Sequence, residues 1–379
     1  MRILVTGIIG QYPVAGVTLC YLQYVLGLRD LGHDVFYVED NGTPPYNPVT
    51  QNVDIDYSYS LPYLAKAMES VGLGDRWAYM DYEHGFFGLP KPAVDELYRT
   101  ADLWLNLSGA TVLREEHMQI PRRAFVDTDP GFQQIAVAKG DADTIDFIGA
   151  HNVYLTYAEN IGRPNCSVPG DHFAWQPCRQ PVYLPLWTPD HRPDATTLTT
   201  VTNWSAYEPT EYNGETYGQK DIELRRFLDL PRRTSQPLEL AIAAFEDVQA
   251  LLREHGWIVT DPRDVTRDIP TFQEYIAQSR GEWSVAKNAY AKTWSGWVSE
   301  RDANYLAAGK PVLSQDTGFS ENIPATEGFV AFRTMEECLA GIEAINGDYA
   351  FHCRRAREIA EEYLSASVVL PPMLERCMA

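Results

Sequence analysis

Residues 295–318 read SGWVSERDANYLAAGKPVLSQDTG, and this segment decides the fold. Ser299 is well suited to begin a helix, because its hydroxyl can accept hydrogen bonds from backbone N–H groups two or three positions later. Apolar side chains up to Leu306 follow at helical spacing, and Gly309 is placed to end the helix. The run that begins at Val312 has the length and apolar content of a short buried strand. The segment therefore predicts a helix followed by a strand within an α/β domain.

The same alternation of strands and helices extends along the chain in both directions. Residues 1–40 predict a strand, a helix and a second strand with short connections, which is typical of parallel strands. Further strands are predicted at residues 103–107, 123–126, 153–156, 200–204, 238–243, 257–259, 283–286, 311–314 and 329–332. The expected fold class is α/β, with two Rossmann-like, doubly wound parallel-sheet domains that face a cleft.

A Pro-rich stretch at residues 163–195 lacks periodicity and is the best candidate for the connection between the two domains. The expected divisions are a first Rossmann-like domain at 1–190, a second Rossmann-like domain at 191–355 and a C-terminal helical tail at 356–379. We expect the tail to pack back on the first domain, with Pro371 and Pro372 interrupting its helix.

Composition and charge exclude several classes of protein. Lys and Arg total 31 and Asp and Glu total 52, so the formal charge is −21. Such an acidic chain is a poor candidate for nucleic-acid or anionic-membrane binding. No stretch approaches the roughly 18–20 apolar residues of a membrane span, and the N-terminus lacks a signal-peptide pattern, so we expect a cytoplasmic protein. The six cysteines form no CxxC motif and indicate neither a disulfide framework nor a zinc site.

The predicted helix start at Ser299 is chemically suited to an anion. Free N–H groups and the positive end of the helix dipole are typical of diphosphate sites. Ser295 and Gly296 are small enough for a ligand to approach the backbone closely. The alternative interpretation is an ordinary capped helix between two strands.

The chain resembles the GT-B glycosyltransferases, most closely families 1 and 4. The similarity rests on LAAGKPV at residues 306–312, on QDTG at 315–318, on LGHDV at 31–35, and on the glycine-bearing loop after the first strand. The resemblance implies a nucleotide-diphosphate sugar as donor, held without a metal or other cofactor. It implies that residues near Ser299 hold the phosphates and that residues after the following strand approach the sugar. With Lys287 added as a cation, the expected donor-binding residues are Gly16, Lys287, Ser295, Gly296, Ser299, Arg301, Gln315, Asp316, Thr317 and Gly318.

The sequence departs from the family patterns at two places. The retaining family 4 pattern has two glutamates eight residues apart, and Gly296 and Asn304 occupy those positions here. The early catalytic histidine of family 1 is absent, because the loop after the first strand carries Gln11 and Tyr12 instead.

Candidate acceptor and catalytic residues follow the predicted strands of the first domain. Asp127 is the favoured general base, because an acceptor hydroxyl must lose a proton to a carboxylate or histidine at the cleft. Glu159 has a similar position after a later strand and is the second candidate. Asp127, Thr128 and Asp129 match the DxD metal motif of the GT-A fold, but their position after a strand of a βαβ unit argues against a metal. The expected acceptor-binding residues are Gln11, Tyr12, Asp129 and Trp204.

The expected activity is therefore sugar transfer from a nucleotide sugar to a small-molecule acceptor, by a monomer or homodimer. Three alternatives remain open at this point. A nucleotide-sugar epimerase would share the fold. An NAD-dependent oxidoreductase is disfavoured because Gly7 and Gly10 do not complete a GxGxxG pattern. A non-catalytic sugar-binding protein would bind the same ligands without turnover.

Overall fold

The structure is a computed structural model that describes residues 1–81 and 83–379. Two mostly parallel β-sheets, each flanked by helices, account for most of the chain. Apolar runs of four to six residues form the central strands, and their side chains are buried on both faces as expected for parallel sheets.

The strands of the first half lie in one eight-stranded sheet and one hairpin. In chain order they are β1 (Arg2–Thr6), β2 (Asp34–Glu39), β3 (Tyr46–Asn47), β4 (Asn52–Val53), β5 (Trp77–Asp81), β6 (Gly85–Gly88), β7 (Leu103–Leu107), β8 (Arg122–Asp127), β9 (Val153–Thr156) and β10 (Gln176–Pro177). The sheet order is β10-β9-β8-β7-β1-β2-β5-β6, and β3 pairs with β4 alone. Only the β5–β6 pair is antiparallel within this sheet.

The strands of the second half lie in one seven-stranded sheet and one hairpin. In chain order its strands are β11 (Leu198–Asn203), β12 (Thr210–Tyr212), β13 (Glu215–Tyr217), β14 (Leu238–Ala243), β15 (Ile258–Thr260), β16 (Gly281–Ser284), β17 (Val312–Gln315), β18 (Thr326–Glu327) and β19 (Phe329–Phe332). The sheet order is β15-β14-β11-β16-β17-β19-β18, and β12 and β13 form a separate hairpin. The strand order reverses at β1 in the first sheet and at β11 in the second, which is where ligands bind in open α/β sheets.

The helices pack on these sheets and between them. They are α1 (Ala15–Asp30), α2 (Ser60–Ser70), α3 (Lys91–Thr100), α4 (Phe132–Ala138), α5 (Ala142–Gly149), α6 (Lys220–Arg226), α7 (Leu230–Arg233), α8 (Glu246–Glu254), α9 (Pro262–Thr266), α10 (Ile269–Gln278), α11 (Asn288–Thr293), α12 (Glu300–Ala307), α13 (Met335–Gly347), α14 (Tyr349–Ile359) and α15 (Ala366–Met378). Short 3₁₀ turns occur at Glu115–Gln119, Leu184–Leu186 and Phe319–Glu321, and a π-helical turn at Ala360–Leu364 joins α14 to α15.

The last helix, α15, lies in the core of the first sheet. Ala366 and Leu370 contact α1 at Gly27, where an added Cβ would lie 2.6 Å from both side chains. The prediction that Pro371 and Pro372 interrupt this helix was wrong, because α15 runs through both. Each proline removes a hydrogen bond to the carbonyl four residues earlier, and those carbonyls belong to residues 367 and 368, which are exposed to water.

The predicted α/β class with two doubly wound sheets is confirmed. The strands that were not predicted are β3, β4, β5, β6, β10, β12, β13 and β18, and β16 begins and ends two residues before its predicted position. The division at residues 190 and 355 stays a prediction, as do the cytoplasmic location and the oligomeric state. Among the described residues, no helix has both the length and the apolar character to cross a membrane.

Candidate functional site

The loops that follow the strands of the two sheets contact each other, and the region that these loops border is called the cleft below. Asn160, just after β9, donates from Nδ2 to the carbonyls of Trp294 and Gly318, each at 3.1 Å. Its own backbone N–H bonds the carbonyl of Ser295 at 2.9 Å. Gly296 and Gly318 have positive φ angles of 82° and 95°, and an added Cβ at either would lie within 3.0 Å of the Asn160 side chain. These glycines are therefore required for the close approach of the two halves.

Helix α12 begins in this cleft. The Ser299 hydroxyl accepts from the backbone N–H of Arg301 at 3.1 Å, as the sequence predicts for an N-cap. The Arg301 guanidinium folds back onto the second sheet, where it bonds the Glu282 carboxylate and donates to the Val201 carbonyl at 2.6 Å. Arg301 therefore serves first as the partner of Glu282, a fully buried carboxylate near the start of β16.

Lys220 lies beside this arginine. Its Nζ donates to the Thr202 hydroxyl at 3.1 Å, and burial together with the nearby cations Arg301 and Lys287 lowers the pKa of the Lys220 ammonium to about 7. Next to it, the buried Nε2 of Gln219 finds no hydrogen-bond partner within the described part of the chain. The end of β11 thus gathers hydrogen-bond donors and positive charge, which is the environment that an anion requires.

A second cluster joins the two halves at the end of β8. Lys287 Nζ lies 2.5 Å from Asp129 Oδ2 and 2.7 Å from the Tyr207 hydroxyl. The hydroxyl of Tyr207 also donates to Asp129 Oδ2, and the hydroxyl of Tyr290 donates to Asp129 Oδ1. Lys287, which was expected to bind the sugar donor, is therefore paired with Asp129, which was expected to bind the sugar acceptor.

Asp127 is buried rather than open to the cleft. It is 2% exposed, and its Oδ2 accepts from Gln134 at 2.5 Å and from Thr156 at 2.6 Å. Its Oδ1 accepts the backbone N–H of Asp129 at 3.2 Å, while burial raises the pKa of the Asp127 carboxyl to about 6. These contacts hold the loop that presents Asp129, whose side chain is 38% exposed.

Glu159 forms an ion pair with Arg179, and its Oε2 is buried without a hydrogen-bond partner among residues 1–81 and 83–379. The residue next to Arg179, Gln180, donates to the Ser299 carbonyl at 3.0 Å. Because Arg179 and Gln180 are adjacent, the same short segment of chain contacts both Glu159 and Ser299.

The residues after β17 use their side chains within the second half. Gln315 accepts from the Ala286 N–H at 3.1 Å and donates to Glu223 at 2.6 Å. Asp316 accepts from the Gly318 N–H at 2.9 Å and from the Ser320 hydroxyl at 2.7 Å. These contacts leave little of either side chain free for sugar hydroxyls.

A cavity of about 290 Å³ lies beside this loop. Glu223, Asn288, Trp294, Asp316 and Arg333 are among the residues that line it. Its mixture of an indole, carboxylates and a guanidinium is suited to a polar ring system.

The remaining predicted donor residues include Ser295 and Thr317, whose hydroxyls bond backbone carbonyls, and Gly16. The buried Ser295 hydroxyl donates to the Tyr290 carbonyl at 3.2 Å, and the Thr317 hydroxyl donates to the Trp297 carbonyl at 2.6 Å. Gly16 lies in the first turn of α1, and an added Cβ there would meet no atom within 4 Å. Open space beside Gly16 is compatible with a ligand near the start of α1.

Three of the predicted acceptor residues differ in their exposure. Tyr12 is 40% exposed and stacks on Tyr46, with ring centroids 4.7 Å apart. Gln11 accepts from Asn41 Nδ2 at 2.8 Å beside it. Trp204 is only 8% exposed and packs in the core of the second sheet, which leaves little ring surface for an acceptor. Tyr12 and Gln11 therefore stay predictions, whereas the position of Trp204 argues against its predicted role.

The sequence reasoning missed several residues that organise the site. Asn160, Glu282, Tyr207 and Tyr290 belong to no motif, and each acts through a partner distant in the sequence. The position of Asn160 in a loop after a strand, and the charge of Glu282 within a buried strand, were the available signals.

Comparison with solved structures identifies the fold. The chain is similar to an α-glucosyltransferase, AGT, in complex with UDP, with a TM-score of 0.61, 10% identity and full coverage of both chains. It is similar to Anabaena HepE in complex with UDP-glucose, with a TM-score of 0.56, 12% identity, and 99% and 98% of the two chains covered. Sucrose-phosphate synthase from Thermosynechococcus elongatus gives a TM-score of 0.53 at 12% identity, over 100% of this chain and 99% of that one.

No protein-family model matches the chain, and no curated protein matches its sequence. The similarity therefore lies in the arrangement of the two sheets and not in the sequence. The chain has the GT-B fold, as the resemblance of residues 295–318 implied.

Proposed function

We propose that the protein is a glycosyltransferase that moves a sugar from a nucleotide-diphosphate donor to a small-molecule acceptor without a metal. One observation carries this proposal. Lys220, the first turn of α12 and Nε2 of Gln219, which has no partner in the described part of the chain, bring positive charge and hydrogen-bond donors together near the end of β11, beside the ion pair of Arg301 and Glu282. Such a set supports an anion with several oxygens, which a diphosphate provides.

The local charge contrasts with that of the whole chain. The formal charge is −21, so an anionic donor can bind only where positive potential is concentrated. Groups aimed at the diphosphate would also stabilise the negative charge that develops on the leaving group as the sugar departs. The cations of the chain can supply this effect, which is why the proposal needs no metal. The structural neighbours that were solved in complex with UDP or UDP-glucose support the same class of donor.

The acceptor is proposed to bind on the side of the first sheet. Asp129 replaces Asp127 as our preferred proton acceptor, because Asp129 is partly exposed and Asp127 is enclosed by its own hydrogen bonds. The carboxylate of Asp129 would take the acceptor's hydroxyl proton as that oxygen bonds to the sugar. One AGT structure contains a DNA 13-mer, but the acidity of this chain favours a neutral or cationic small acceptor.

Calorimetry of the full chain against UDP, ADP and GDP tests the donor site. We expect at least one diphosphate to bind, and we expect Lys220→Met to weaken that binding about tenfold or more, since a charge-assisted contact is lost. Lys139→Met, at an exposed position outside the cleft, is the matched control. Absence of binding by all three nucleotides would refute the proposal.

Product analysis separates transfer from the alternatives. A transferase incubated with the matching nucleotide sugar and an acceptor mixture produces a glycosylated acceptor. An epimerase would instead convert the donor or release the nucleotide when no acceptor is present. A sugar-binding protein would bind the donor and produce nothing.

A further inference from the structure

The carboxylate of Asp129 and the ammonium of Lys287 meet across the cleft. Asp129 follows β8 of the first sheet, and Lys287 follows β16 of the second. Their side chains are 38% and 16% exposed, so the pair lies at the surface of the cleft and not in a sealed core. A ligand that enters the cleft can therefore reach both groups.

Aromatic rings surround the ammonium in addition to the carboxylate, and the hydroxyls of two of them, Tyr207 and Tyr290, also donate to Asp129. Lys287 Nζ lies 4.5 Å from the ring centre of Tyr207, 5.3 Å from that of Phe132 and 5.5 Å from that of Tyr290. Ring faces attract cations at such distances. Lys287 can consequently stay in place while its anionic partner is exchanged.

We propose that Asp129 and the donor diphosphate compete for Lys287, so that donor binding frees the Asp129 carboxylate for the acceptor. This inference rests on the proposed function. In the free protein, the ammonium and two phenol hydroxyls occupy both oxygens of the Asp129 carboxylate. When the diphosphate takes the ammonium, Oδ2 of Asp129 loses its charged partner and becomes open to a hydroxyl of the acceptor.

This exchange imposes an order on the reaction. The donor binds first, and its diphosphate replaces Asp129 as the anionic partner of Lys287, which stays among its three aromatic rings. Asp129 then accepts the proton of the acceptor hydroxyl, the acceptor oxygen bonds to the anomeric carbon, and the bond from that carbon to the diphosphate oxygen breaks. The nucleoside diphosphate leaves with the electron pair, and its charge is offset by Lys287. An acceptor that arrives first meets a carboxylate that is already paired.

Competition predicts effects of opposite sign at the two residues. Asp129→Asn removes the competitor, so the affinity for the bound diphosphate rises, by about threefold as expected for a partly exposed ion pair. Lys287→Met removes the shared cation and lowers that affinity by about tenfold. In the double variant, the Asp129 substitution has no further effect, because it acts only through Lys287.

The experiment measures the dissociation constants of UDP, ADP and GDP by calorimetry for the wild type, the two single variants and the double variant. Asp75→Asn and Lys139→Met, both at exposed positions away from the cleft, control for the change in net charge. Thermal unfolding followed by circular dichroism verifies that each variant is folded. If Asp129→Asn does not fold, Asp129→Ser replaces it, because a hydroxyl can still accept from the tyrosines.

Tighter diphosphate binding by the Asp129 variant, abolished by Lys287→Met, supports the competition. Unchanged or weaker binding by the Asp129 variant overturns it and leaves the proposed function intact, provided that the wild type binds a diphosphate. If no diphosphate binds to the wild type or to any variant, both the competition and the proposed function are overturned.

Discussion

Gln23 in α1 donates a 3.2 Å hydrogen bond from Nε2 to Oδ1 of Asn304 in α12, and both side chains are buried. The family 4 resemblance places a glutamate at position 304, where it would hold the ribose of the donor. Here the shorter side chain of Asn304 instead forms a hydrogen bond between α12 of the second half and α1 of the first. Gln23 Oε1 also accepts from the backbone N–H of Tyr183 at 3.0 Å, which fixes the amide orientation. The departure from the family pattern therefore coincides with a contact between the two halves.

Removal of either amide should destabilise the protein, and the effects of the two substitutions should not be additive. We expect Gln23→Ala and Asn304→Ala to show a coupling free energy of about 1 kcal/mol in a double-mutant cycle, which is the usual net value of a buried hydrogen bond. Urea unfolding of the two single variants and the double variant measures this term. Gln278→Ala, which removes an exposed contact within α10, serves as the control. Strict additivity would show that the two amides do not interact.

The buried pair of Glu282 and Arg301 should be far more sensitive than a surface pair. Glu282 is fully buried, and Glu282→Gln leaves the guanidinium of Arg301 without its counter-charge. Loss of one partner of a buried ion pair typically costs about 3–5 kcal/mol. Glu336→Gln, whose side chain is 74% exposed beside Arg233, should change the free energy of unfolding by less than about 1 kcal/mol. Equal effects in chemical denaturation would contradict this assignment.

The fold was predictable because it depends on local patterns. Short apolar runs, helix caps such as Ser299, and polar residues after each strand are all visible in the sequence. The antiparallel strand β6 was missed because it has only two side chains, both half-buried phenylalanines, and glycine stands at both of its ends. The adjacent strand β5 was missed because every side chain in it is buried, so that apolar and polar residues do not alternate along Trp77–Asp81.

The candidate site was predictable only in part, because its contacts join distant residues. Asp129 and Lys287 were both identified as cleft residues, but they are 158 positions apart and nothing in the sequence pairs them. The burial of Asp127 depends on Gln134 and Thr156, which come from a helix and a neighbouring strand. The sequence indicates which residues follow a strand, whereas the packing of the two halves decides which of them remain free.

A side chain at Gly318 should be unfavourable because of steric overlap as well as because of the positive φ angle. An added Cβ would lie 2.6 Å from Asn160 Nδ2 and 2.8 Å from Trp294 Nε1. Gly140 has a comparable φ of 78° but no atom within 4 Å of the added Cβ, so Gly140→Ala measures the backbone strain alone. We expect Gly318→Ala to cost about 1–3 kcal/mol more than Gly140→Ala, since overpacking adds to the strain. Similar unfolding midpoints for the two variants would show that the loop yields freely.

Lys220 should make diphosphate binding depend on pH. Its pKa of about 7 means that the free protein holds it mostly neutral above that pH, while a bound diphosphate favours the ammonium. Binding at pH 8 should therefore take up a proton, and affinity should fall as the pH rises from 7 to 9. The phosphate's last ionisation lies near pH 6 and is complete over this range.

The proton uptake can be measured by calorimetry with UDP, ADP and GDP in two buffers that differ in ionisation enthalpy. Lys220→Arg provides the decisive comparison, because a guanidinium stays charged throughout and should bind the same diphosphate without proton uptake. Wild-type binding that is independent of both buffer and pH would show that Lys220 is already charged in the free protein or lies away from the phosphates. The arginine variant keeps the positive charge at position 220. If this variant binds the diphosphate with an affinity that no longer depends on pH, the pH dependence of the wild type comes from titration of Lys220 and not from loss of a contact.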